Sequence, residues 1–402
     1  MGVPVRHHPL ARGKLADRAS TFLGKAWDKG WLPNPPLDPE ELWEIAARGL
    51  GNLARTAEEA GRPAEDIADF RLRLARLTTS INTEADLNPL GRAMAHGQLV
   101  RVIRNRLRFG ELWNAQPAIL TTELAPPIIV VGHMRSGTTR VHKLLAADPA
   151  HAATRCCDAL HPVPTRPDLR YVKSAFDLAI MRRINPWLDI IHPMASGEVE
   201  EELSWLAAAL NHSIYESQWR IPSYSAFSEA RDPAPIYREL DRMLRTDAVH
   251  RGNADLPRVM KVPQFSEDLA TLLAQFPDAR LIIARRPSEE VHRSAVSLAA
   301  NQMAIQSDTC DLADIEAFWW HKIALREKRM AAALSDWRGP VAQLQFAALN
   351  ADWEREMRRC YAELGLDLTG QAIAAMRSEM ASTAAGQHRA HSEQLARFAE
   401  QA

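Results

Sequence analysis

The stretch Gly132-His133-Met134-Arg135-Ser136-Gly137-Thr138-Thr139 decides the fold of this chain. Its two glycines have the spacing of a phosphate-binding loop, but Thr138 stands where a nucleotide triphosphatase needs lysine. Free N–H groups at a helix start and the positive end of the helix dipole favour an anion. The stretch therefore predicts a site for a phosphate-like group that works without the lysine of an ATP or GTP enzyme.

The residues on either side of this loop supply the context that such a motif requires. The apolar, β-branched run over residues 126–131 predicts a buried strand of a parallel sheet. After the loop, Val141, Leu144 and Leu145 recur at helical spacing until Pro149 ends the pattern. A glycine turn that merely joins strand to helix is the alternative, and the run Arg-Ser-Gly-Thr-Thr disfavours it.

Further strand-like runs alternate with helical patterns along the rest of the chain. Strands are predicted at Arg258–Lys261, Ala279–Ala284 and Val341–Phe346, and helices at Glu267–Phe276 and Ile315–Ser335. This alternation predicts an α/β fold with a P-loop-like parallel sheet flanked by helices. We expect residues 1–122 to form a helical N-terminal extension and residues 123–402 the α/β domain. A helical insertion at about 161–253 is predicted to lie over the strand ends, where ligands bind in such folds.

Composition narrows the class of protein. The chain has 402 residues, of which 46% are apolar and 25% charged, as in ordinary globular proteins. The net charge of −1 gives no overall field that would attract nucleic acid or a membrane. The four cysteines have neither zinc-site nor disulfide spacing. We see neither a signal peptide nor an apolar run of membrane length, so a cytoplasmic location is expected.

A second candidate anion site follows the predicted strand at Ala279–Ala284. Arg285 and Arg286 stand at its end, and a helix is predicted to begin near Ser288. Arginines at the carboxyl end of a strand, with a serine on the next helix, can hold another phosphate. A surface cluster of charges is the alternative for this site taken alone. Together, the two sites suggest a ligand with phosphates at both ends of a nucleoside.

With both sites in place, the chain resembles the sulfotransferases that use 3′-phosphoadenosine 5′-phosphosulfate, in particular the bacterial branch with a helical N-terminal extension. Residues 128–149 resemble the family's 5′-phosphosulfate loop, residues 285–297 resemble its 3′-phosphate motif, and the similarity covers roughly residues 85–391. The resemblance implies transfer of a sulfuryl group to a hydroxyl or phenol of a small, partly apolar acceptor. It implies 3′,5′-bisphosphoadenosine as product, no metal and no nucleic-acid partner, and it leaves a homodimer open.

The resemblance also implies roles for residues around the first site. The 5′-phosphate would be held by the loop residues Ser136, Gly137, Thr138 and Thr139. Arg135 and Lys261 would contact the sulfuryl and leaving-group oxygens, where charge builds during transfer.

At the second site the resemblance is less regular. Arg285 and Ser294 would hold the 3′-phosphate. The family's serine position is occupied by Arg293, with Ser294 one residue later, so both stay candidates. Near the C-terminus, Gln387 replaces the usual lysine of a loop that closes over the donor, and Arg389 is expected to supply that charge.

A general base should take the proton of the acceptor. Asp158 is the first candidate, because similar enzymes often place a carboxylate downstream of the loop helix. Glu198, Glu201 and His212 follow, and each of the four could equally be structural. Two other functions stay open: a non-catalytic nucleotide-binding descendant, which the altered second site favours, and a P-loop kinase, which Thr138 disfavours.

Overall fold

The computed structural model describes residues 4–51, 53–134 and 136–382, together with Gln394 and Phe398. Its N-terminal part is helical, as the sequence predicts. The helices are α1 (Lys14–Asp28), α2 (Pro39–Ala47), α3 (Leu53–Glu59), α4 (Ala64–Glu84) and α5 (Pro89–Ala115), and a 3-10 helix covers Pro117–Thr121. Helix α5 is capped at its N-terminus by local residues: the Asn88 side chain accepts a hydrogen bond from Gly91 N at 2.8 Å, and Pro89 has no N–H that would need a partner.

Within the described ranges, the strands form one five-stranded sheet in the order β2-β3-β1-β4-β5, with all neighbours parallel. The strands are β1 (Ile128–Val131), β2 (Ala152–Ala153), β3 (Arg258–Lys261), β4 (Arg280–Arg285) and β5 (Val341–Gln345). The predicted α/β class and the predicted strands are confirmed. The two-residue strand β2 was not predicted, because two alanines carry no periodic signal.

The remaining helices cover both faces of this sheet and the ends of its strands. Those between β1 and β3 are α6 (Thr138–Ala147), α7 (Cys156–Leu160), α8 (Arg170–Ile184), α9 (Leu188–Ile191), α10 (Leu203–Ala208), α11 (His212–Gln218), α12 (Pro222–Ala230) and α13 (Ala234–Arg251). Those after β3 are α14 (Leu269–Gln275), α15 (Ser288–Gln306), α16 (Leu312–Asp336), α17 (Phe346–Ala351), α18 (Trp353–Leu364) and α19 (Gly370–Ser382).

Alternation along the strands divides the core into two layers. Ile129 and Val131 of β1 pack with residues of α13 and α14 on one face. Ile128 and Val130 pack with residues of α6 and α18 on the other. Because every side chain of β1 is buried, this strand reads as a continuous apolar run, as expected at the centre of a parallel sheet.

A third apolar cluster joins the N-terminal helices to the inserted helices. Leu74 of α4 and Leu99 of α5 belong to the same cluster as Tyr215 of α11 and Tyr224 of α12. The predicted boundaries of extension, domain and insertion stay predictions. Of the helices that the structure describes, none has both the length and the apolar character needed to cross a membrane.

Candidate active site

Three adjacent strands end at the same edge of the sheet and bring the predicted site residues to it. The order β3-β1-β4 places the end of β3 at Lys261, the loop after β1, and the end of β4 at Arg285 side by side. In open parallel sheets this edge is where ligands bind. The fold therefore brings the two predicted anion sites and Lys261 together.

Backbone geometry explains why the loop after β1 needs its two glycines. Gly132 has φ +152°, and a Cβ there would lie 2.5 Å from the carbonyl oxygen of Ala284 in β4. Gly137 has φ +90°, and a Cβ there would lie 2.6 Å from Cδ2 of Phe346. Both positions combine a left-handed conformation with a close neighbour, so a side chain is excluded twice over.

The loop ends in groups suited to an anion. Ser136 Oγ donates a hydrogen bond to the carbonyl oxygen of His133 at 2.6 Å, which fixes the turn. Thr138 Oγ1, at the first residue of α6, is buried and has no hydrogen-bond partner among the described residues. The first N–H groups of a helix also lack intrahelical partners. An orphaned buried hydroxyl beside such N–H groups fits a phosphate, so these residues fit the donor that the sequence implies.

Lys261 connects this loop to the residues that line a cavity. Its Nζ donates a hydrogen bond to Thr139 Oγ1 at 3.2 Å and forms an ion pair with Glu201. Its backbone N donates to Glu202 Oε2 at 3.0 Å. Thr139, Glu201 and Lys261 all line one cavity of about 230 Å³, which we call the acceptor cavity.

The wall of the acceptor cavity is mostly apolar, and it holds a second ion pair besides that of Lys261 with Glu201. His192 Nε2 lies 3.2 Å from Glu200 Oε1. Burial lowers the pKa of His192, but the charge of Glu200 outweighs this effect and raises it. Burial acts to raise the pKa of Glu200, but the charge of His192 outweighs it and holds that pKa at about 2. The large apolar side chains in the wall are Met134, Leu160, Met181, Leu188, Ile191, Met194, Leu203, Ile214, Leu298 and Trp319.

The second predicted anion site lies at the end of β4 and the start of α15. Ser294 is buried, whereas Arg293 on the same helix is exposed. Arg286 is paired with Glu290, at 2.7 Å from Nε to Oε2, and its guanidinium lies 4.3 Å from the ring centroid of Phe346. These contacts hold the Arg286 side chain beside Glu290 and Phe346. Arg285, together with Ser294 or Arg293, therefore stays the predicted contact of the 3′-phosphate. Arg135 and Arg389 lie outside the described residues.

The structure separates the four candidate bases. Asp158 is fully buried and accepts hydrogen bonds from Arg155 at 2.7 and 3.0 Å. Arg170 Nη1 lies 3.0 Å and Arg251 Nη1 3.7 Å from its carboxylate. Burial raises the pKa of Asp158, but these arginines outweigh it and lower the pKa overall. A carboxylate held by three arginines, and not part of the cavity wall, is a poor proton acceptor.

The other three candidates also differ in position. Glu198 pairs with Lys143 at 3.2 Å and is not in the wall of the acceptor cavity. His212 is buried between Ser228 Oγ at 2.8 Å and Glu267 Oε1 at 3.0 Å, again outside that wall. Glu201 is the one of the four that lines the cavity.

Among the residues that the structure describes, two groups of side chains have ligand atoms close enough to hold a cation. They are His192 with Glu200 and Glu201, and His212 with Glu216 and Glu229. In both groups a lysine ammonium already contacts the carboxylates: Lys261 contacts Glu201, and Lys322 Nζ lies 2.8 Å from Glu229 Oε1. The lysines therefore supply positive charge where a metal would.

The chain matches known proteins over most of its length. The sequence model of the sulfotransferase family matches residues 126–370. The omega-hydroxy-beta-dihydromenaquinone-9 sulfotransferases Stf3 of Mycobacterium bovis and Mycobacterium tuberculosis are each 28% identical over 258 residues, which cover 60% of this chain and 63% of those proteins. The match thus spans less than two thirds of these curated relatives.

Solved structures share the fold. The crystal structure of sulfotransferase STF1 from Mycobacterium tuberculosis has a TM-score of 0.75 and 26% identity, covering 90% of this chain and 98% of that one. The structure of STF9 from Mycobacterium avium has a TM-score of 0.75 at 21% identity, over 92% of this chain and 97% of that one, a likeness of fold alone. The family model matches well over half of the chain, and the chain therefore belongs to the sulfotransferase family.

Proposed function

We propose that this protein transfers a sulfuryl group from 3′-phosphoadenosine 5′-phosphosulfate to a hydroxyl or phenol of a small, partly apolar acceptor. The position of Lys261 carries the proposal. One ammonium contacts Thr139 at the start of the loop helix and Glu201 in the acceptor cavity. It therefore lies where a donor phosphosulfate and an acceptor oxygen would meet. Family membership supports the reaction class.

The donor would supply an electrophilic sulfur and a phosphate leaving group. Ser136, Gly137, Thr138 and Thr139 would hold its 5′-phosphate, because they present N–H and hydroxyl groups at the start of α6. Arg285, with Ser294 or Arg293, would hold the 3′-phosphate. Arg135 and Arg389 stay proposed contacts for the sulfuryl group and the closing loop.

In this mechanism Glu201 acts on the proton of the acceptor and Lys261 acts on the negative charge of the leaving group. Glu201 takes the proton of the acceptor hydroxyl while that oxygen bonds to sulfur and the bond from sulfur to the 5′-phosphate oxygen breaks. Lys261 stabilises the negative charge that grows on the departing oxygen. Because the two side chains form an ion pair, each orients the other before the acceptor binds. We propose Glu201 as the base in place of Asp158.

Donor binding is tested first. We expect 3′,5′-bisphosphoadenosine to raise the melting temperature, and Arg135→Ala to abolish that rise. Equal stabilisation by AMP or ATP would argue against the proposed donor. Magnesium-dependent hydrolysis of ATP would favour the kinase alternative, and tight donor binding without sulfate transfer to any phenol or alcohol would favour a non-catalytic descendant.

Catalysis is tested with two glutamates of one acidic run. Glu201→Gln should lower kcat by at least about 100-fold, because removal of a general base typically costs that much, while 3′,5′-bisphosphoadenosine still stabilises the variant. Glu198→Gln is the matched control, since Glu198 pairs with Lys143 away from the cavity. Equal turnover by the two variants would remove Glu201 from the mechanism.

Three other predictions belong to this proposal. Turnover should survive EDTA, since Lys261 supplies the positive charge beside the leaving group. A cytoplasmic location and a homodimer stay predictions, to be checked by cell fractionation and by sedimentation velocity.

A further inference from the structure

A second cavity of about 220 Å³ lies next to the acceptor cavity and is not used by the mechanism above. We call it the distal chamber. Leu87, Trp219, Ile221, Met303, Ile315 and Phe318 supply its apolar walls. Charged residues also border it, and two of them, Arg220 and Asp314, are more than half exposed and pair at 3.1 Å. The distal chamber thus has apolar walls and a charged border, and its apolar walls suit the apolar part of a ligand.

The same helices line the two cavities. Helix α11 gives Ser213 and Ser217 to the acceptor cavity and Glu216 to the distal chamber. From helix α15, Leu298 and Gln302 line the acceptor cavity and Met303 lines the distal chamber. From helix α16, Trp319 lines the acceptor cavity and Phe318 lines the distal chamber. Three helices thus each line both spaces.

Gln218 is the side chain common to both linings. It is the last residue of α11 and is half-buried, and its Oε1 is shielded from solvent with no hydrogen-bond partner in the described part of the chain. An unpaired buried amide oxygen is costly, so little holds Gln218 in this position.

We propose that the acceptor is an elongated amphiphile whose hydroxyl lies at Glu201 and Lys261 and whose aliphatic tail passes Gln218 into the distal chamber. This inference rests on the proposed function and adds the substrate class. Gln218 is then a specificity-determining residue, and the distal chamber selects for chain length. Each methylene that enters the chamber should raise affinity about fourfold.

The test compares para-butylphenol with para-octylphenol as acceptors. The readout is the ratio of kcat/KM for the octyl over the butyl compound, which cancels any loss of folded protein. Cys310 lines only the distal chamber and is half-buried, so Cys310→Trp should fill the chamber and Cys310→Ala is its matched control. We expect a ratio above about tenfold in the wild type and in Cys310→Ala, and a ratio near one in Cys310→Trp.

A second variant keeps the proposal testable if Cys310→Trp does not fold. Gln218→Ala removes the side chain from the passage and should raise the ratio further. A wild-type ratio near one, or the same high ratio in Cys310→Trp, would overturn the proposal. If no phenol is sulfated at all, the proposed function fails instead, and calorimetric titration of para-octylphenol without donor then tests the chamber: equal affinity for Cys310→Trp and Cys310→Ala would exclude it.

Discussion

At the scale of single residues, the loop after β1 shows how a backbone requirement and a binding requirement share one position. Gly137 ends the loop in a left-handed conformation, and the next residue begins α6. The carbonyl oxygen of Gly137 accepts a hydrogen bond from Arg140 N at 3.0 Å, so the conformation of Gly137 sets the direction in which the helix begins. Any change in this conformation therefore also moves the N–H groups that would face an anion.

We predict that Gly137→Ala both destabilises the protein and weakens donor binding. A side chain in the left-handed region costs about 1–2 kcal/mol, and the new Cβ would press on Phe346. We expect the affinity for 3′,5′-bisphosphoadenosine, measured by calorimetry, to fall by more than about tenfold. Gly365→Ala is the control, because Gly365 has φ +63° with no atom within 4 Å of its Cβ position. If both variants bind equally well, the loop conformation does not govern the anion site.

At the scale of elements, an ion cluster around the buried carboxylate of Asp158 joins α7, α8 and α13. Arg155 precedes α7, Arg170 begins α8 and Arg251 ends α13, and all three surround Asp158. Removal of one partner from a buried ion pair leaves an uncompensated charge and is strongly destabilising. Asp158 therefore holds these helices in their relative positions.

We predict that Asp158→Asn lowers the free energy of unfolding by about 3 kcal/mol, as expected for a broken buried pair, and changes kcat by less than about tenfold. Urea unfolding and steady-state turnover below the melting transition measure the two quantities. Wild-type stability combined with a kcat loss above about 100-fold would instead identify Asp158 as the base.

The sequence predicted the elements better than it predicted the choice of base. Strand β1 and the centre of β4 are apolar runs, and β5 alternates buried and exposed residues, so each carries a local strand signal. Because the strands are parallel, their carboxyl ends lie at one edge of the sheet. The acidic run containing Glu198 and Glu201 carries no local signal for which of its glutamates faces the acceptor cavity. Val199 pairs with Arg155 in an isolated antiparallel bridge, so neighbouring glutamates point to different partners. Which of them meets Lys261 depends on that long-range pairing, and no local pattern encodes it.

At the scale of the whole molecule, buried titratable groups limit stability from both sides of the pH range. Burial lowers the pKa of His142 to about 3 and that of His133 to about 4, from an ordinary value of 6.5. The stability that these neutral imidazoles contribute is present above pH 6.5 and is lost as the pH falls through those values. Glu202 behaves in the opposite direction, since burial raises its pKa to about 7 from an ordinary 4.5.

We predict that the wild type loses stability as the pH rises to neutral and alkaline values, and that the Glu202→Gln variant does not show this loss. The protonated carboxyl is favoured in the fold, so its contribution is complete below pH 4.5 and is lost as the pH rises through about 7. The glutamine can keep both contacts, accepting from Lys261 N and donating to Thr154 Oγ1 in place of the 2.8 Å bond seen now. Between pH 5 and pH 8 the wild type should lose about 2 kcal/mol of unfolding free energy relative to the variant, measured by urea titration at each pH. Glu111→Gln, at an exposed position on α5, controls for the loss of a charge. Parallel profiles for the wild type and Glu202→Gln would show that Glu202 is ionised in the fold throughout this range.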